Sequence, residues 1–299
     1  MLARNSRLDE DLLLRTVRPA YEGAGTELRF QPLGTDSWAY RCGSLWISVR
    51  RDFLGHLPQS YETAYALRGA GLDFVLAPLA GRDGRVLRTV QGFPVAVYPY
   101  LPVEPIGGAG SLTPRELNRI WELMSKVHTC DVATDLPVED FRLPFEDRLS
   151  AGLTRALEPS RDAGPFSRRL RELVRRNGAY IAGLRERISE TGERCTAARR
   201  PLSITHGDLN GDNVLRLGDD FVIADWQCAL RAPAERDGYF CAREFGLPPQ
   251  GDPLLHHFYA LQWSLSEIAE YVITFTAEHG DTSDDRQRWL RLCSYLPES

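Results

Sequence analysis

The run Ile204-Thr-His-Gly-Asp-Leu-Asn-Gly-Asp-Asn213, continued as far as Asp225-Trp226, constrains this chain more than any other stretch. It sets His206 and Asp208 directly after a short β-type run, Leu202 to Thr205. Asn213 follows five residues past Asp208, and Asp225 closes a second apolar run, Phe221 to Ala224. Asn210-Gly211-Asp212-Asn213 is turn-forming and taken alone could be only a hairpin connection. A turn does not require His-Gly-Asp on the strand before it or an aspartate at the end of the strand after it. The pattern predicts two short strands that bring two carboxylates and an amide together at one end of a hairpin.

That combination suits phosphoryl transfer from a nucleotide. One carboxylate orients and deprotonates a hydroxyl, while an amide oxygen and a second carboxylate hold the magnesium ions that screen the triphosphate. On this reading Asp208 is the catalytic carboxylate, Asn213 and Asp225 are metal ligands, and His206 hydrogen-bonds the loop backbone rather than carrying a proton. The spacing His-x-Asp-x-x-x-x-Asn, followed by Ile-x-Asp-Trp, resembles the catalytic and metal-binding segments of the aminoglycoside phosphotransferase and choline kinase families, relatives of the protein kinases. Ala224-Asp225-Trp226 stands where protein kinases have Asp-Phe-Gly.

The resemblance implies an α+β, protein-kinase-like two-lobe fold, with a small antiparallel-sheet nucleotide-binding lobe over residues 1–100 and a mostly helical catalytic and substrate-binding lobe over 101–299. It implies Mg2+-dependent transfer of the γ-phosphate of ATP or GTP to a hydroxyl of a small molecule. An antibiotic of aminoglycoside, aminocyclitol or nucleoside type is the foremost acceptor, with resistance as the outcome. A small-metabolite kinase acting on an amino alcohol, sugar or nucleoside is one alternative, and a non-catalytic pseudokinase-like binding protein is another.

Ahead of the motif, Leu8 to Tyr21 has helical spacing with Asp9, Glu10 and Asp11 in its first turn. From Thr26 the period changes to two, giving three antiparallel strands around Leu28–Phe30, Trp38–Cys42 and Leu45–Val49. The turn Gly34-Thr35-Asp36-Ser37 would lie over the nucleotide phosphates, with backbone N–H groups and Ser37 as donors. Pro58 to Gly69 reads as a helix capped by Ser60, and Phe74–Ala77, Val86–Val90 and Phe93–Tyr100 as further strands. In the resembling families Tyr98-Pro99-Tyr100-Leu101-Pro102 would be the hinge, with the Pro99 carbonyl and Leu101 N–H facing the base. The strand Leu45-Trp-Ile-Ser-Val-Arg-Arg51 aligns with the one that supplies a phosphate-binding lysine, and Ser48 takes the lysine position. Alternate residues share a face, so Arg50 is the expected substitute, paired with Glu62. Arg50 and Arg51 as ordinary edge-strand charges is the competing reading.

Thr113-Pro114 to His128 predicts a capped core helix, on which Lys126, the one lysine of the chain, is a surface charge. Phe145–Leu157 and Phe166–Ile188 follow as helices, with Glu193–Arg200 as a loop leading to the catalytic strand. Pro233-Ala-Glu-Arg-Asp237 resembles the families' Pro-x-x-Arg-Asp element, which implies that Asp237 anchors its segment to the catalytic loop. The helix Leu254–Phe275 looks similar to its counterpart in spectinomycin-type phosphotransferases. Its aromatics read as core, while Trp263, Glu267 and Glu270 are the candidate substrate contacts, the two glutamates reaching either a substrate amine or water.

Net charge is −5, which argues against a nucleic-acid-binding surface. From Pro201 to Ser299 sixteen Asp or Glu face seven Lys or Arg, against 41 and 36 in the whole chain, so the excess acid lies in the last third and the rest of the chain is slightly basic. That suits either a cleft for a cationic acceptor or a solvated acidic surface. No apolar run is long enough to cross a bilayer and the start lacks the apolar core of a signal peptide, so a cytoplasmic location is expected, without a membrane partner. Six scattered cysteines indicate neither a zinc site nor a disulfide framework. Oligomeric state has no signature in the sequence.

Overall fold

Alternation along three strands decides how the N-terminal region folds. The computed structural model describes residues 7–33, 37–51, 57–107 and 112–297. Its helices are α1 (Glu10–Ala20), α2 (Pro58–Gly69), α3 (Pro114–His128), α4 (Glu146–Leu157), α5 (Ser167–Arg176), α6 (Gly178–Ala198), α7 (Glu235–Phe245), α8 (Pro253–Thr276) and α9 (Ser283–Ser294). Its strands are β1 (Arg29–Gln31), β2 (Ser37–Cys42), β3 (Leu45–Arg50), β4 (Leu87–Val90), β5 (Phe93–Pro99), β6 (Glu104–Pro105), β7 (Ser203–Thr205), β8 (Val214–Leu217), β9 (Asp220–Ile223) and β10 (Leu230–Ala232). The chain divides into two units, Met1–Val138 with Pro201–Gly251, and Glu139–Arg200 with Asp252–Ser299.

In the first unit an antiparallel sheet of order β1-β2-β3-β5-β4 turns Leu45, Ile47 and Val49 to one face. There they pack with Tyr40, Val95 and Val97 and with Leu13 and Val17 of α1, whose N-cap Asp9 accepts from Leu12 N–H at 2.9 Å. The other face carries Ser48 opposite Ala39 and Ala96, and Arg50 opposite Ser37. Tyr61 of α2 packs there with Val86 and Ala96. Leu57, not Ser60, is the N-cap of α2, because Pro58 already fixes the first turn; Ser60 is buried and donates to Ala229 O at 3.5 Å. Phe74–Ala77 is not a strand of this sheet. It docks in parallel on β9 through the Val75–Ile223 bridge, with Leu76 N–H on Ile223 O at 2.8 Å. Gly34-Thr35-Asp36, expected above the phosphates, lies outside the described residues.

The motif strands are arranged differently from the expectation of a single hairpin. β8 and β9 form the hairpin, with β6 on its outer edge, whereas β7 pairs with β10 in a separate two-stranded sheet. β7 is three residues long and its partner lies beyond Asp225, so the loop from His206 to Asn213 connects two sheets. α3 starts with a full capping box between Thr113 and Glu116. Glu116 also accepts from Arg216 of β8 at 2.7 Å, and Arg119 holds Asp220 through two bonds of 3.0 and 2.7 Å. The backbone and side-chain bonds from Thr113, with Arg216, hold the Glu116 carboxyl down at about 2.

The second unit is helical. The stretch expected as one helix from Phe166 to Ile188 breaks at Asn177, a buried residue whose Nδ2 bonds back to Leu173 O at 3.0 Å, followed by Gly178. α6 then continues through most of the expected Glu193–Arg200 loop. Gly192 lets it approach Phe141, whose carbonyl oxygen would stand 2.2 Å from an added Cβ. α8 is capped by Asp252 and buries Phe258, Tyr259 and Tyr271. α9 was not expected. Asp284-Asp285 open its first turn, and Asp285 is a buried member of a capping box with Thr282, whose bonds lower its carboxyl. The six cysteines are free thiols, and no described helix is long and apolar enough to cross a membrane.

Candidate active site

The catalytic loop leaves β7 through His206-Gly207-Asp208, and its backbone is held from below by one buried carboxylate. Asp237, in the first turn of α7 and fully buried, accepts from His206 N–H (Oδ2, 3.0 Å) and Gly207 N–H (Oδ1, 2.7 Å). His128 Nε2, at the end of α3, lies 2.9 Å from the same Oδ2. Burial pushes the Asp237 carboxyl up, but the His128 hydrogen bond and charge and the Gly207 N–H together hold it below the ordinary aspartate value. Gly207 has φ +80, and an added Cβ would fall 2.1 Å from the Arg236 guanidinium stacked across it. Arg236 Nη1 in turn bonds Thr205 Oγ1 and Cys228 O, each at 3.0 Å, joining β7 to the segment after Asp225. The glycine of His-Gly-Asp is thus required by backbone conformation and by close approach of a cation.

His206 is fully buried. Its Nδ1 accepts from Asp208 N–H at 3.2 Å, so the proton sits on Nε2, which donates to Ala224 O at 2.7 Å. The ring braces the loop against the strand that carries Asp225, with Trp226 edge-on at 4.8 Å. Asp208 receives Asn210 Nδ2 on Oδ1 and Asn213 Nδ2 on Oδ2, both at 3.1 Å. Asn213 Nδ2 also reaches Asp208 O at 2.8 Å, and Asn210 Oδ1 accepts from Asp212 N–H and Asn213 N–H in an Asx turn. Burial raises the Asp208 carboxyl above the ordinary range; the Asn210 and Asn213 amides oppose this and Asp225 adds to it.

Asn213 Nδ2 bonds Asp208 twice, at the main chain and at the carboxylate, and Asn213 Oδ1 accepts from no described residue. Asp225 follows β9 with φ 63 and ψ 52, a left-handed conformation uncommon for a residue with a Cβ. The one-turn 3-10 segment Trp226–Cys228 begins immediately afterwards, fixed by Trp226 Nε1 on Ile223 O at 2.8 Å. An amide oxygen and a carboxylate are the hard oxygen donors that magnesium takes, so the residues present fit that ion.

Arg50 is buried, and its Nη1 donates to Gln227 Oε1 at 3.1 Å, two residues past Asp225. The hydroxyl of Tyr61 lies beside this guanidinium and is pushed up to about 12, by burial first, with Asp225 raising it and Arg50 lowering it. The expected Arg50–Glu62 ion pair is absent among the described residues. α2 turns Tyr61 to this side, and Glu62, about 100° further round a helix of 3.6 residues per turn, is exposed. Ser37 starts β2 opposite Arg50. Pro99 ends β5, and Tyr100 N–H is taken by Ser44 O at 2.8 Å, while Leu101 N–H makes no bond to a described residue. Tyr100 itself is packed between Trp46, stacked at 6.5 Å, and the Arg41 guanidinium at 4.0 Å.

The remaining candidates lie on α8 in the other unit, spaced four and three apart on one helix face. Trp263 Nε1 donates to the Tyr295 hydroxyl at 3.1 Å, Glu267 accepts from the Tyr271 hydroxyl at 3.0 Å, and Glu270 is exposed. Sequence reasoning missed His128, Arg236, Asn210 and Gln227. A histidine ending a well-capped helix and the arginine of Pro-x-x-Arg-Asp were the available signals for the first two.

The sequence pattern of the APH phosphotransferase enzyme family matches residues 48–271. The chain is 42% identical over 280 residues to protein StrN of Streptomyces griseus, covering 91% of this chain and 86% of that one. Among solved structures it superposes on spectinomycin phosphotransferase APH(9)-Ia, in complex with ADP and spectinomycin, with a TM-score of 0.73 at 15% identity over 97% and 95% of the two chains. Choline kinase LicA from Streptococcus pneumoniae gives a TM-score of 0.57 at 14% identity over 91% and 94%. The fold is kinase-like.

Proposed function

This chain belongs to the APH phosphotransferase enzyme family, small-molecule phosphotransferases acting on hydroxyl groups, and within it we propose a magnesium-dependent kinase that uses ATP or GTP to phosphorylate an antibiotic, conferring resistance. The observation that carries this reading is the Asp208–Asn213 arrangement. One amide bonds both the Asp208 carboxylate and the Asp208 main-chain oxygen through its nitrogen and keeps its own oxygen for a metal, so base and metal ligand are set by the same side chain. Asp208 orients the acceptor hydroxyl and takes its proton; the hydroxyl oxygen forms the new bond to the γ-phosphorus as the bond to the bridging β-γ oxygen breaks, releasing the nucleoside diphosphate. Asn213 and Asp225 would hold magnesium, which when bound would supply charge that offsets the triphosphate. Arg50 supplies a second positive charge on the phosphate side, in place of a lysine at Ser48. The Ser37 turn and the Pro99 and Leu101 backbone take the rest of the nucleotide.

The division of labour proposed is a nucleotide lobe to residue 100 and a catalytic and substrate lobe beyond it, in a cytoplasmic protein. An antibiotic acceptor of aminoglycoside, aminocyclitol or nucleoside type is proposed, of which the first two are supported by neighbours in complex with kanamycin and spectinomycin, and Trp263, Glu267 and Glu270 are its candidate contacts. A cationic amino alcohol is the second reading, favoured by the choline and ethanolamine kinase neighbours. Turnover of purified protein is measured with both nucleotides against a panel of these acceptors, alongside Asp208→Asn. That variant should keep its fold and nucleotide affinity while losing turnover by a factor on the order of 10² or more. Near-normal turnover in Asp208→Asn removes the carboxylate from the mechanism.

A further inference from the structure

Gln227 lies two residues beyond Asp225, inside the Trp226–Cys228 turn, and is the described side chain that accepts from Arg50 Nη1. We propose that Gln227 is a positioning residue for phosphate binding: its amide oxygen sets the Arg50 guanidinium at a fixed place relative to Asp225. The proposal rests on the reading of Arg50 as the phosphate-side cation.

Three features support it. The first is the rigidity of the segment carrying Gln227. The turn is closed by Ala229 N–H on Trp226 O at 3.0 Å, its first side chain is pinned on Ile223 O, and Ser60 of α2 reaches Ala229 O. Asp225 and Gln227 are therefore displaced together or not at all. The second is the place of what it holds. Arg50 is buried at the end of β3, opposite Ser37, and its bond to Gln227 ties the guanidinium to the segment that follows Asp225. The third is the chemistry of an amide. Its oxygen accepts a hydrogen bond without bringing a negative charge next to the place where phosphates would bind, which a glutamate of the same length would do.

The test compares wild type with Gln227→Glu, Gln227→Met, Arg50→Ala and the Arg50→Ala/Gln227→Met double variant. Dissociation constants are measured at saturating magnesium for ATP, GTP, adenosine and guanosine, with circular dichroism to verify folding. Gln227→Glu should weaken binding of the triphosphate by about tenfold or more, the scale of one charge-assisted hydrogen bond, and leave nucleoside binding as in wild type. Gln227→Met, which keeps the length and removes the acceptor, should give a smaller loss in the same direction. In the Arg50→Ala background Gln227→Met should have little further effect, because the guanidinium that the amide positions is gone. The proposal is overturned by an unchanged triphosphate constant in Gln227→Glu, by an equal loss for the nucleosides, or by an undiminished loss from Gln227→Met without Arg50. A wild-type protein that binds neither triphosphate overturns the kinase reading itself, which is a different result from wild-type binding with an indifferent residue 227.

Discussion

Asp237→Ala should be among the most damaging single substitutions outside the reacting groups. The carboxylate is fully buried and accepts three hydrogen bonds, from His206 N–H at 3.0 Å, Gly207 N–H at 2.7 Å and His128 Nε2 at 2.9 Å. Bonds to a charged group contribute about 1.5–3 kcal/mol each but share one acceptor and do not add. Removing one partner of a buried charged pair costs about 3–5 kcal/mol, which is the loss expected here. A total stability of about 5–15 kcal/mol is typical of native domains, so the first unit would be marginal. The assay is urea unfolding together with hydrogen exchange at the His206 and Gly207 amides, which should become unprotected. Asp237→Asn supplies the pH test. The folded-state carboxyl lies below its unfolded value, so its stabilisation is present above the unfolded pKa of about 3.9 and is lost as pH falls through the folded value. The stability gap between wild type and Asp237→Asn should therefore narrow as pH drops below about 4. A loss under about 1 kcal/mol in Asp237→Ala, with both amides still protected, would refute the argument that this carboxylate holds the loop.

Gly207→Ala should lose about 2–4 kcal/mol, from left-handed backbone strain plus displacement of Arg236, whereas Gly246→Ala, at φ 69 with open space around it, should lose only about 1 kcal/mol; thermal melts of both compare them directly. Asp225→Ala should weaken nucleotide binding in the presence of magnesium, and equal affinity of the wild type with magnesium or with chelator would remove the metal assignment. Arg50→Ala should raise the nucleotide Kd and lower turnover while Arg51→Ala changes neither, and Ser48→Lys should recover part of the loss in the Arg50→Ala background.

What the sequence makes legible is what lies within a few residues. Asp208, Asn210 and Asn213 meet through one turn, so spacing alone brings them together, and the alternation of β3 puts Ser48 and Arg50 on one face whatever packs there. Whether a residue of α2 meets Arg50 depends instead on the rotation of that helix, where one step in sequence separates Tyr61, which faces it, from the exposed Glu62. His128 and Asp237 are 109 residues apart and their contact has no local signature. The pairing of β7 with β10 rather than with β9 is likewise a tertiary choice between short strands of similar character. The break at Asn177 was written in the sequence, as a buried Asn-Gly inside a long periodic run, but the apolar period on both sides masked it.

The two units are interleaved along the chain, with junctions after Val138, Arg200 and Gly251. Any single recombination point between this sequence and a homologue therefore divides at least one unit between two parents, and a point between residues 139 and 251 divides both. A crossover anywhere from His128 to Asp237 would inherit the two ends of their buried contact from different ancestors. Segments of this protein can be exchanged without mixing parents inside a unit only as matched pairs, 139–200 together with 252–299, which takes three simultaneous junctions. Its helical unit is thus expected to diversify by point substitution in place rather than by shuffling.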